Sequence, residues 1–128
     1  MTLTRSEMRA LIESLVEAYN VKDAQRLSDF YHTDARYWSV LEGWVEGLPA
    51  IRAHIEQLHQ LLPDEQMSVS EIVTDGDLAV VEFASSGSAP VSGKPYSILF
   101  TEVIELRDGR IWSVKVYLDP DDISAVTG

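Results

Sequence analysis

The sequence predicts an α+β fold, a curved and mostly antiparallel sheet wrapped around a long N-terminal helix, as a single domain over residues 1–128. Three observations predict it. The first half carries apolar residues at helical spacing, and the second half alternates as strands do. The pairs Asp75-Gly76 and Asp108-Gly109 punctuate that second half as hairpin turns. Helices segregated from antiparallel strands give an α+β architecture, and a strongly twisted sheet can curl around the first helix. A chain of 128 residues is long enough for one core and too short for two.

The elements follow in order. Met8, Leu11, Ile12, Leu15, Val16 and Tyr19 recur on one helical face, and Thr4 and Glu7 stand ahead of them at capping-box spacing. A short helix is predicted over about residues 23–31, with Asp23 as its N-cap and Ala24, Leu27, Phe30 and Tyr31 as its apolar stripe. Residues 35–41 (ARYWSVL) are aromatic and β-branched and read as a strand. Residues 42–47, with two glycines, read as a loop. Pro49 suits the first turn of a third helix, which carries Ile51, His54, Ile55, Leu58, Leu61 and Leu62 on one face and ends at Pro63 and Asp64. Strands follow over 67–73, 78–86, 94–106 and 110–118, with a polar loop over 87–93. The tail after Asp119-Pro120 reads as a short helix or a loose end.

Charge and composition exclude several functions. There are 21 acidic and 10 basic residues, a formal charge of −11. Nucleic-acid binding needs clustered Lys and Arg, so it is not expected, and neither is an anionic membrane surface. There is no cysteine, hence no disulfide, thiolate nucleophile or Cys-based zinc site. The N-terminal stretch mixes charge with apolar residues and does not read as a signal peptide, and no run approaches a membrane span. A cytoplasmic location is expected. No Gly-rich phosphate loop or dinucleotide fingerprint appears. His54 and His59 are one residue too far apart for an i, i+4 ligand pair. Neither metal nor cofactor is expected.

Strand alternation sorts side chains between two faces. On residues 94–106 the more apolar face is Tyr96, Ile98, Phe100, Glu102, Ile104 and Leu106, and Glu102 is its only charge. On the last strand the apolar face is Trp112, Val114, Val116 and Leu118. The strand before offers Ala79, Val81, Phe83 and Ser85, or the opposite face with Glu82. A carboxyl among aromatics loses hydration, so its pKa rises toward neutral and it can shuttle a proton. The alternative is a solvated Glu102, or one paired with Arg110 or Lys115. His54 lies within the apolar stripe of the third helix, either as a proton carrier or as a core histidine bonded to a carbonyl. His32 is expected to close the second helix and His59 to be solvated.

Three stretches carry a resemblance to a known family: DAQRLSDFYHTD (23–34), GLPAI (47–51) and DGRIWSVKVYLD (108–119). With the order of elements, they resemble the nuclear transport factor two-like superfamily over nearly the whole chain. That superfamily includes ketosteroid isomerase, limonene epoxide hydrolase, scytalone dehydratase and small polyketide cyclases. The resemblance implies a cone-shaped α+β barrel with a deep apolar pocket open at one end. It points Tyr37 and Ser39 inward and Arg36 and Trp38 outward. It also implies that the catalytic sets of those enzymes are mostly replaced. The oxyanion Tyr and base Asp of ketosteroid isomerase fall at Leu15 and Ser39, and only its second acid finds a like residue, Glu102. The Tyr of the first strand of limonene epoxide hydrolase falls at Tyr37, and its Asp–Arg–Asp triad at Ser85, Phe83 and Val116. A pocket-lining Phe of ketosteroid isomerase falls at His54.

Together these give a candidate site. Glu102 and His54 would act as acid and base, and Tyr37 as donor to a carbonyl or epoxide oxygen. Leu15, Tyr19, Ser39, Trp44, Phe83, Ser85, Phe100, Trp112 and Val116 would contact substrate, with Trp44 closing the pocket mouth or simply covering the core. The expected function is a cofactor-free isomerase, cyclase, dehydratase or epoxide-opening enzyme. Its substrate would be an apolar, oxygenated small molecule such as a polyketide, terpenoid or steroid-like ring. The alternative is a non-catalytic binding or interaction protein of the same fold, which the missing acids at Ser39 and Val116 favour. The outer sheet face, read as Ile111, Ser113, Lys115, Tyr117 and Asp119 with Trp38, suggests a homodimer made sheet to sheet.

Overall fold

The computed structural model describes residues 2–127; residues 1 and 128, the two ends of the expected domain, lie outside the described residues. Helix α1 (Arg5–Asn20) starts at a complete capping box. Thr4 Oγ1 accepts from Glu7 N–H at 3.1 Å, and Glu7 Oε1 accepts from Thr4 N–H at 2.9 Å. Lys22, with φ of +61°, takes the left-handed turn out of α1. Asp23 then caps α2 (Ala24–Ser28) by accepting from Arg26 N–H. The second helix is shorter than its apolar stripe predicts. Phe30 O accepts Ile111 N–H at 2.9 Å and Tyr31 pairs with Ile111, so sheet pairing overrides local helical spacing. Strand β1 (Tyr31–Ser39) therefore begins four residues before the expected strand, and His32 lies in it rather than at a helix end.

The predicted loop at 42–47 contains a strand, β2 (Gly43–Glu46). Gly43, at φ of +71°, makes the turn that lets Trp44 pair with Trp38. Helix α3 (Leu48–Leu61) follows, with Pro49 in its first turn. Ile51, His54 and Ile55 are buried on it, whereas Leu61 is exposed. The remaining strands are β3 (Gln66–Asp75), β4 (Leu78–Ser88), β5 (Pro95–Arg107) and β6 (Arg110–Tyr117). The Asp108-Gly109 turn has both residues at positive φ, 53° and 76°, as a two-residue hairpin requires. Helix α4 (Pro120–Thr127) ends the chain's described part.

The six strands run in the order β2-β1-β6-β5-β4-β3. All neighbours are antiparallel except β1 and β6, which are parallel. The sheet is curved and mixed, and it stays open at β2 and β3 rather than closing into a barrel. Helix α1 packs against β3 and α3 against β1. Met8 and Ile12 meet Ile51, Val81, Phe83, Ile104, Ile111 and Val114 in the core. Leu11 and Phe100 are only half-buried.

One irregularity reverses an expectation. The β5–β6 register slips between Glu105 and Leu106: Glu105 pairs with Ser113, but Leu106 pairs with Ile111. Trp112 is the extra residue of this bulge. Ile111, expected outside, is fully buried in the core. Trp112, expected inside, stacks with Arg107 at 3.8 Å and with Arg36 at 4.6 Å. Arg36 is also 4.6 Å from the Trp44 ring. Ser113 is buried as well.

Candidate functional site

The register of the inner face lays out the site row by row. Ser85 on β4 lies between Met67 on β3 and Ile98 on β5. In the next row Phe83 pairs with Phe100, their rings 5.5 Å apart. Beyond it Val81, Glu102 and Val116 run across to Ser39 on β1. Deeper still, Ile104 and Val114 lead to Tyr37. Helix α1 covers these rows with Leu15, Val16 and Tyr19, and α3 adds His54, Ile55 and Leu58. Between sheet and helices is a cavity of about 150 Å³. The C-terminal helix, left open by the sequence, contributes Ile123 and Val126 to its wall.

Glu102 lines this cavity. Among the described residues no side chain hydrogen-bonds its carboxyl, and burial pushes its pKa up to about 7. Tyr37 lines the same cavity, and burial, then the Glu102 charge, holds its hydroxyl well above the ordinary phenol range. It therefore stays a neutral donor at any physiological pH. The Tyr37 and His54 rings lie 5.0 Å apart. His54 Nδ1 is 3.0 Å from Glu42 Oε2, whose side chain is 43% exposed. The site thus has an acid inside, an imidazole beside Tyr37 in the same cavity and a carboxylate reaching from the imidazole to solvent.

Of the residues expected to contact substrate, Leu15, Tyr19, Ser39, Phe83, Ser85, Phe100 and Val116 all line the cavity. Trp44 and Trp112 do not. Trp44 is 46% exposed on the edge strand, where its ring faces Arg36 on the outer face, and Trp112 is turned out by the bulge. Ser39 has a structural partner: its Oγ accepts Glu42 N–H at 3.2 Å and fixes the turn that carries Glu42 to His54. His59, expected in solvent, is half-buried and stacks edge-on against Tyr19 at 4.7 Å. Burial holds its pKa below the ordinary histidine range.

Two acids of the site escape the sequence reading. Glu42 sits in a turn, where periodicity says nothing. Glu65 is 6% exposed in the connection from α3 to β3. Its Oε1 accepts from Tyr19 Oη and its Oε2 from Ser85 Oγ, both at 2.5 Å. Extending the alternation of β3 back one step from Val69 and Met67 would have reached it. Among the described residues, no group of three or more His, Asp or Glu side chains is placed to hold a metal ion, and no helix is long and apolar enough to cross a membrane.

Comparisons with known proteins agree on the fold. TsrD from Streptomyces laurentii superposes with a TM-score of 0.84 at 23% identity, covering 98% of each chain. A protein of ketosteroid isomerase-like fold from Catenulispora acidiphila, solved with trimethylamine, gives 0.83 at 15% identity over 92% of each chain. An NTF2-like protein of unknown function from Burkholderia pseudomallei gives 0.85 at 18% identity, covering 96% of this chain and 98% of that one. No curated protein matches by sequence. At such identities the likeness shows the fold alone. Residues 12–114, most of the chain, match the model of the SnoaL-like domain, and the chain belongs to that family.

Proposed function

We propose that this protein is a cofactor-free enzyme that moves a proton on an apolar, oxygenated small molecule, in an isomerisation or cyclisation type of reaction. One observation carries the reading: Glu102 lines a mostly apolar cavity with a pKa of about 7, together with the neutral donor Tyr37. Near neutral pH such an acid is present in both protonation states, the condition general acid–base catalysis favours. Ionised Glu102 takes a proton from the carbon next to a carbonyl. The electron pair moves onto the carbonyl oxygen, where the Tyr37 hydroxyl stabilises it by a hydrogen bond. Where the substrate carries a β,γ carbon–carbon double bond, the enolate is conjugated, and the Glu102 carboxyl returns the proton to the γ-carbon, which moves the double bond. His54, held by Glu42, gives the proton of the site a route to solvent.

The test uses a simple ketone as probe. The protein should speed exchange of the α-protons of cyclohexanone in deuterated water, followed by proton NMR. Glu102→Gln should reduce that acceleration by about 10²–10⁴-fold with folding intact. A loss of less than about tenfold supports the second reading, a ligand-binding protein without catalysis. That reading has its own observation: Ser39 is engaged in a turn and Val116 is apolar, so neither of these neighbouring positions supplies a second acid to Glu102.

The same proposal includes a homodimer through the outer sheet face. The Trp38 and Tyr117 rings meet there at 5.3 Å, Tyr117 is 47% exposed, and Leu99 and Val80 add apolar surface. A stable interface buries roughly 1,200–2,000 Å² in total. A monomer by light scattering at micromolar concentration would remove it.

A further inference from the structure

The cavity is polar at two ends and apolar between them. Glu102 with Tyr37 makes one end. At the other, Glu65 is buried and anchored by Tyr19 and Ser85. The Phe83–Phe100 pair forms the floor between. Ser85 pairs with Ile98, four residues along β5 from Glu102, which is roughly 13 Å of strand. Each oxygen of Glu65 accepts one hydrogen bond from the protein and keeps capacity for another. Tyr96 lines the same end, and its Oη is near Ser85. That oxygen is buried and, among the described residues, has no hydrogen-bond partner of good geometry. A buried hydroxyl in that state is unfavourable unless a ligand atom satisfies it.

We propose that this second end is a recognition site for a substrate hydroxyl, and that the substrate is a single ring carrying a hydroxyl opposite the carbonyl on which Glu102 acts. A hydroxyl fits both vacant valences at once: it donates to Glu65 and accepts from Tyr96. An ether or a methyl group satisfies at most one of them. The size agrees. A cavity of about 150 Å³ holds a benzene-sized molecule, too little for a fused tetracycle. The assignment of the carbonyl end rests on the proposed role of Glu102; the hydroxyl end stands on Glu65, Ser85, Tyr19 and Tyr96.

Three probes test it by isothermal titration: acetophenone, 4-methoxyacetophenone and 4-hydroxyacetophenone. The hydroxy compound should bind roughly 10- to 100-fold more tightly than the other two, the range expected when two buried hydrogen bonds are gained. Tyr96→Phe removes an unpartnered hydroxyl, so its melting temperature should hold or rise. It should nevertheless reduce the preference, and Glu65→Gln should reduce it further. Glu102→Gln should keep the preference even though it slows the catalysed proton exchange. Equal binding of the three probes, or a preference untouched by both Tyr96→Phe and Glu65→Gln, overturns the hydroxyl site and leaves the role of Glu102 standing. Failure of all three to bind at millimolar concentration overturns the cavity as a ligand site, and this inference with it.

Discussion

Glu102→Gln should make the protein more stable at alkaline pH, and the size of the gain measures how well the cavity excludes water. In the unfolded chain a glutamate has its usual pKa of 4.5; in the fold burial raises that of Glu102 to about 7. The folded protein therefore holds this proton more tightly than the unfolded chain does. Stability falls as pH rises from about 4.5 to about 7, and the full penalty stays in place above that. At about 1.4 kcal/mol for each tenfold change in proton affinity, the limit is about 3 kcal/mol. Glutamine keeps the shape and never ionises. Urea unfolding of both proteins at pH 5 and pH 8 should show the variant gaining roughly 2–3 kcal/mol on the wild type across that interval, or roughly 10 °C in melting temperature for a chain of this size. Other groups titrate nearby. Hydrogen bonding holds Glu7 and Asp64 below the carboxylate range, so their stabilisation is lost only at more acidic pH. Burial lowers the pKa of His59, which makes stability rise with pH below 6.5. Both effects are shared by the two proteins and cancel in the difference. A gain under about 1 kcal/mol would show that water reaches Glu102 freely, and would remove the physical basis of its proposed role.

Trp112→Ala should destabilise the fold by about 1–3 kcal/mol through the loss of its stack with Arg36 and Arg107, and leave probe binding in the cavity unchanged, as chemical unfolding and titration calorimetry can check. Thr4→Ala should lower stability by about 1 kcal/mol, because it removes the hydroxyl that holds the first turn of α1, readable as a shift in the urea midpoint without a change in slope. Gly87→Ala would bring a Cβ within 3.1 Å of the Tyr96 ring and hydroxyl and 2.9 Å of Asp64, so it should weaken 4-hydroxyacetophenone more than acetophenone.

The inner faces of β4 and β5 were legible in the sequence because their two-residue period is unbroken from Ala79 to Ser85 and from Tyr96 to Glu102. That is why Glu102 could be placed. The face of β6 was legible only as far as Val114. One inserted residue at the bulge exchanges the places of Ile111 and Trp112, and nothing local marks it, since both are large and apolar. Tyr37 and Ser39 were reached through the family resemblance rather than through alternation, because the irregular register of β1 between Tyr31 and Arg36 hides the pattern. Trp44 was misplaced because its flanking glycines suggest a loop, whereas Gly43 is the turn of a hairpin. Glu42 contributes from a turn, where no period exists to betray it, and Glu65 from a connection one alternation step beyond the start of β3.

The parallel seam between β1 and β6 has a consequence for how the molecule is made. Ser39 pairs with Val116, so an early strand waits for a segment made much later before its ladder forms. Synthesis delivers about 5–20 residues each second. For several seconds, then, α1 and α3 are present while the wall that buries Ile12 and Ile51 is still inside the ribosome. Contacts between distant parts of a sequence also slow folding after release. The apolar stripes of the two helices are thus at their most adhesive in the nascent chain, and a truncation before β6 would leave them so permanently.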